Sequence, residues 1–167
     1  MSMDQILSDV RNYEGLLELW PESGSEHPVQ SWGDRFFYFA PDGEVPGNRQ
    51  PYATIITKNY PDDGRSHLDA EGRWRLNIHV GTRVFAEVVG YPPSNFDASR
   101  VDYSVDDVFL PHPLYGAYGW ICVVNPEGTT VDHARMLLRG AHEDDRRRVE
   151  RRARGTASSS IGYWRND

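Results

Sequence analysis

One cysteine, one lysine and no long apolar run are the scarcities that constrain this 167-residue chain. A single thiol, Cys122, excludes an internal disulfide and any metal site built from several cysteines. It lies in Trp120-Ile121-Cys122-Val123-Val124, which reads as a buried strand and makes Cys122 an inert core thiol. No apolar stretch reaches the roughly 20 residues that a bilayer crossing needs. The start, Met1-Ser2-Met3-Asp4-Gln5, has neither the basic opening nor the apolar follow-on of a secretory leader. The expectation is a cytoplasmic protein that does not engage a membrane. Also missing are a Gly-x-Ser-x-Gly nucleophile turn and a phosphate-cradling glycine loop. His67, Asp69, His79 and His112 are metal-ligand types, but their spacing matches no ligand motif, so no metal and no cofactor are expected.

Positive charge is scarce over most of the chain. The formal net charge is -7, and six of the seventeen arginines fall between Arg146 and Arg154. The body before them is therefore acidic and repels a phosphate backbone, which makes nucleic acid an unfavourable partner. The arginine stretch itself alternates with Glu143, Asp144, Asp145 and Glu150 at helical spacing, so it reads as a self-neutralised, solvated helix. The bias of arginine over the single Lys58 fits a GC-rich genome.

What the chain has in plenty is aromatic side chains, at 12% of residues with five Trp and nine Tyr. Such side chains suit a small core or an amphipathic cleft. Ile6, Leu7 and Val10 mark a first helix over 3–12, and Gly15 to Trp20 reads either as a strand or as a continuation of that helix. β-prone runs follow at 34–40, 52–58 and 73–80, separated by Pro, Asp and Gly turns, which predicts an antiparallel meander. Thr82 is placed to cap a short helix ending at Gly90. Residues 91–114 read as irregular, with one helical turn near Val105-Phe109, and 119–125 as the last strand. Val131, Ala134, Leu137, Leu138 and Ala141 mark the buried face of a long last helix, capped by Thr129 or Thr130. The expected architecture is a single α+β domain over 1–154, with its helices on one face of the sheet. A flexible tail, 155–167, follows, in which Tyr163 and Trp164 are candidates to dock on the body or on another copy of the chain.

Alternation along 73–80 divides that strand between two faces. Trp74, Leu76, Ile78 and Val80 point toward the helices, whereas Arg73, Arg75, Asn77 and His79 point the other way, with Thr54, Ile56 and Lys58 beside them. This polar column suggests a site for a small polar or anionic molecule, set against the plainer reading of a wet sheet face. The residues assigned to the site are Lys58, Arg75, Asn77 and His112, with Trp32 and Trp120 as walls. His112, held between Pro111 and Pro113, is also the candidate general base of a hydrolase or isomerase, or else a residue that pins its own loop by hydrogen bonds. The acidic pairs Asp62-Asp63, Asp106-Asp107 and Asp144-Asp145 and the single Asp102 are assigned to loops or to the solvated helix.

Several segments together resemble an actinobacterial domain-of-unknown-function family, number 6194. They are Ser31 to Phe37, Ala53 to Pro61, Arg75 to Ile78, Leu110 to Tyr115 and Val123 to Pro126. The resemblance spans most of 3–145 and implies no activity. The order of elements is more distantly similar to the MmcQ/YjbR-like domains, small α+β proteins often labelled DNA-binding. That likeness implies the same meander fold and a third functional alternative, a DNA-binding module.

Overall fold

The computed structural model describes residues 2–165, with side chains described as far as residue 155. Helix α1 spans Ser2–Val10 and buries Ile6, Leu7 and Val10, the stripe expected from their spacing. The helix does not run on to Trp20, because Gly15 adopts a left-handed φ of +75° and turns the chain into strand β1, Leu16–Leu19. Strands β2 (Arg35–Phe39), β3 (Ala53–Ile56) and β4 (Arg75–His79) then continue an antiparallel meander. Each is shorter than its β-prone run. Helix α2, Gly81–Val89, follows β4 directly and ends at Gly90.

Strand β5, Leu110–Pro111, and strand β6, Trp120–Val124, complete a six-stranded sheet in the order β1-β2-β3-β4-β6-β5. Helix α3 runs from Thr129 to Arg165, so its backbone passes the expected boundary at residue 154, and the side chains of Tyr163 and Trp164 lie outside those described. No helix among the described residues is long and apolar enough to cross a membrane.

Three local expectations are corrected. Thr82 does not cap α2: the capping position is Val80, without a side-chain hydrogen bond. The segment 105–109 is not helical; single 3-10 turns form instead at Pro93–Asn95 and Ala98–Arg100, the latter capped by the Asp97 carboxylate. The two-residue β5 was not anticipated, because a strand ending in proline can pair only at a sheet edge and gives no periodic signal.

Side-chain alternation gives the sheet two different faces. Phe37, Ala53, Ile55, Leu76, Ile78, Ile121 and Val123 pack against α1, α2 and α3 in one continuous core. Each large side chain buried there contributes roughly 1.5–3 kcal/mol. The opposite face carries Phe36, Tyr38, Thr54, Ile56, Arg75, Asn77, His79, Trp120, Cys122 and Val124. It is not a wet face. Loops 57–72 and 91–108 lie against part of it, with Ile56, Leu68 and Val124 forming a second small core. Arg73 ties the two loops together by donating to the carbonyls of Ser66 and Ser104 and pairing with Asp106.

Candidate functional site

The uncovered part of the loop-bearing face forms a cavity of about 630 Å³. Its floor is a polar strip that crosses three neighbouring segments: Thr54 of β3, Asn77 of β4 and His112, just past β5. Its walls are aromatic, with Phe36 and Tyr38 from β2 on one side and Tyr115, Tyr118 and Trp120 on the other. Tyr60, Asp62 and Asp63 close a third side, and His27, Ser31 and Gln50 belong to the mouth. Among the described residues no lysine or arginine lines it.

The strip is held by a buried network centred on Arg75, whose side chain is 0% exposed. Its guanidinium makes a two-pronged pair with Asp63, at 3.0 Å from Nη1 and 2.5 Å from Nη2. Nη1 also donates to the Ser66 hydroxyl, and Nε donates to Asn77 Oδ1 at 2.8 Å. Asn77 passes the chain on by donating from Nδ2 to the Thr54 hydroxyl. This fork geometry suits a buried ion pair, since it neutralises the charge and satisfies its donors together. The charge of Arg75 is therefore spent inside the protein. Arg75 orients Asn77 from below instead of offering a cation to a ligand.

His112 is fixed on two sides. Pro111 and β5 place it beside β6, where its backbone N–H donates to the Trp120 carbonyl. Its ring Nδ1 accepts from the backbone N–H groups of Leu114 and Tyr115, both at 3.1 Å. The loop-pinning role proposed from the sequence is thus present in the geometry. Burial first, and then the neighbouring Arg75 charge, push the His112 pKa down to about 3, against a weaker opposing pull from Asp63. Around the ring stand Tyr115, with centroids 4.9 Å apart, and Trp120, at 6.2 Å. Gly119 makes this wall possible: its φ is +85°, and a Cβ there would lie 3.0 Å from the Gly81 backbone. The close approach lets the Gly119 carbonyl accept from the N–H groups of Val80 and Gly81, locking the 116–120 turn to the start of α2.

The other assigned residues divide. Trp120 and Asn77 line the cavity. Lys58 lies beyond the end of β3, where its ammonium bonds the Trp32 carbonyl at 2.5 Å and pairs with the buried Asp34. Trp32 donates its indole N–H to the His27 carbonyl, and neither Lys58 nor Trp32 lines the cavity. His79 donates to the Tyr118 carbonyl and leans on Trp120. Its pKa is lowered, chiefly by burial. Two carboxylates expected in solvent are buried: Asp63 under Arg75, and Asp145, which accepts from the Phe39 backbone N–H and pairs with Arg49. Arg146 and Arg147 of the arginine stretch behave as expected, paired to Glu143, Glu150 and Asp144 at the surface.

Cys122 is buried beneath the network and its thiol is pushed up to about 12 by burial, so it is not a nucleophile. Among the described residues no three His, Cys, Asp or Glu groups converge as metal ligands. A second concavity, on the helix side between α2 and α3, is larger at about 730 Å³. Its polar lining is mostly exposed charge already paired within the chain, such as Arg135 with Asp9.

Reading the sequence alone missed Phe36, Tyr38, Tyr115 and Tyr118 as cavity walls. Alternation along β2 contained the first two, since even-numbered positions share the face of Thr54 through the Phe36↔Thr54 register. Tyr115 and Tyr118 reach the cavity through a turn that leaves no periodic trace.

A family model described as a family of unknown function (DUF6194) matches residues 1–154. Nothing among curated proteins or solved structures matches the chain.

Proposed function

We propose, for a chain that belongs to the DUF6194 family of unknown function, that the loop-side cavity binds a small uncharged or cationic molecule with an apolar ring. The observation that carries this reading is the lining. A polar strip of Thr54, Asn77 and His112 lies between aromatic walls, Asp62 stands at one side, and among the described residues no lysine or arginine lines the cavity. A volume of about 630 Å³ falls in the range of ligand sites. Aromatic faces favour rings and cations over anions. The polar ligand expected from the sequence is kept in this reading and its anionic form is dropped, because Arg75 is neutralised by Asp63 and Lys58 by Asp34.

General-base chemistry at His112 is less well supported. Nδ1 already accepts two backbone donors, and a group with so low a pKa is a poor proton acceptor at neutral pH. A DNA-binding role is disfavoured by the net charge of -7, which repels a phosphate backbone.

Three probes that share one ring test the reading: benzamide, benzylamine and benzoate, followed by the Trp120 indole signal in NMR. Benzamide and benzylamine are expected to bind about tenfold more tightly than benzoate, and Trp120→Ala to abolish the binding of both as read by calorimetry. Benzoate binding as well as the other two, or no response at Trp120 to any probe, would overturn it.

A further inference from the structure

His112 is 4% exposed, and every group placed around its ring nitrogens is a hydrogen-bond donor. Leu114 and Tyr115 aim backbone N–H groups at Nδ1. At Nε2 the neighbour is Arg75 Nη2, 3.4 Å away, and a guanidinium only donates. A neutral imidazole must carry one proton. It cannot sit on Nδ1, whose lone pair receives two donors, so it sits on Nε2. The 3.4 Å contact with Arg75 is therefore donor against donor and not a hydrogen bond.

A second proton on the ring would have to displace two backbone donors beside a fixed positive charge. The ring thus stays neutral, and its Nε2–H has no acceptor among the described residues. Buried donors are almost always satisfied, and an unsatisfied one in a cavity lining points to a group that the protein itself does not supply. Thr54 stands nearby in the same floor: its hydroxyl oxygen accepts from Asn77, which leaves its own hydrogen to donate.

We infer that His112 is the fixed hydrogen-bond donor of the cavity, protonated on Nε2, and that the bound molecule presents an uncharged oxygen, a carbonyl or hydroxyl, to it. This rests on the cavity reading above and narrows it to ligands that carry such an acceptor on an apolar ring. His112 is then a binding residue that orients its ligand and takes up no proton from it.

The test separates the two claims. In ¹⁵N-labelled protein without ligand, long-range proton–nitrogen spectra report the tautomer of each histidine, with the His112 signals identified by their loss in His112→Phe. The expected result is the Nε2–H tautomer, unchanged between about pH 5 and about pH 8. Benzamide is then expected to shift the His112 Nε2 signal and to bind about tenfold more tightly than ethylbenzene, which has the same ring and no acceptor. That preference should vanish in His112→Phe. An Nδ1–H tautomer, or a ring that titrates within that interval, would overturn the assignment even if both probes bind. Equal binding of benzamide and ethylbenzene with no change at Nε2 would overturn the acceptor while leaving the cavity reading intact. If neither probe disturbs Trp120, the cavity reading fails and the acceptor fails with it, whichever tautomer is found.

Discussion

His142 and His112 are buried on opposite sides of the same sheet, and their surroundings differ in kind. His142, on α3, donates from Nε2 to the Glu14 carbonyl at 2.7 Å and accepts at Nδ1 from the Tyr52 hydroxyl at 3.0 Å. Tyr13, Phe39 and Tyr52 pack their rings around it. Both nitrogens are matched, so the group is complete as built. His112 has donors at both nitrogens and an acceptor at neither. The helix side thus uses its polar groups to close a core. On the loop side the His112 Nε2–H meets no acceptor among the described residues, and under the proposed cavity reading that is the physical difference between a structural histidine and a binding one.

The largest effect that tests this contrast comes from the ion pair beneath the cavity. Asp63→Asn leaves the Arg75 guanidinium buried without a counter-charge, and removing one member of such a pair costs about 3–5 kcal/mol. Urea unfolding should show that loss. The double variant Asp63→Leu with Arg75→Met should restore most of it, because two apolar groups leave no buried charge behind. A loss below about 1 kcal/mol for Asp63→Asn would mean that water reaches the pair, and the floor of the cavity would then not be the rigid strip described.

A smaller effect sharpens the comparison through pH. Folded His112 stays neutral down to about 3, whereas in the unfolded chain it protonates near the ordinary value of about 6.5. Between these values the unfolded state binds the extra proton. Stability from this group is therefore complete above about 6.5 and is lost as pH falls toward about 3, by up to ~1.4 kcal/mol per pH unit. His79, whose pKa is also lowered, adds a slope of the same sign, so the informative quantity is the difference between the native chain and His112→Gln. The variant should be less sensitive to acid across that window. An unchanged slope in urea midpoints measured at several pH values would show that His112 is already charged or solvated when folded.

Much of the fold was legible in the sequence because periodicity reports which side chains are buried. Ile6, Leu7 and Val10 marked α1, and alternation along β4 separated Leu76 and Ile78 from Arg75 and Asn77 correctly. Alternation says which face a residue takes and says nothing of what covers that face. Arg75 was therefore assigned to a ligand, when loop 57–72 brings Asp63 and Ser66 onto it. Lys58 failed for a related reason: β3 ends at Ile56, so strand parity no longer governs where Lys58 points, and Asp34 captures it. His112 was legible because two prolines flank it, but the donors that surround it come from its own turn and from a strand 37 positions away.

The smallest expected effect concerns α3, where the sequence placed Asp144 in solvent correctly and Asp145 there wrongly. Asp144 and Asp145 are neighbours on α3, yet they stand in different environments. Asp144 pairs with Arg147 at 3.1 Å with both side chains largely exposed, whereas Asp145 is buried and accepts from the Phe39 N–H and from Arg49. An exposed pair three residues apart gains little, because water screens the attraction and two long side chains must be ordered to make it. Arg147→Ala should therefore change stability by no more than about 0.5 kcal/mol, and less still at high salt. Arg49→Ala should cost more, since it leaves the Asp145 carboxylate buried with a single backbone donor and the more exposed Arg148. Equal losses in urea unfolding for the two variants would mean that Asp145 is as solvated as Asp144, and the helix-side face would then not be closed where α3 meets β2.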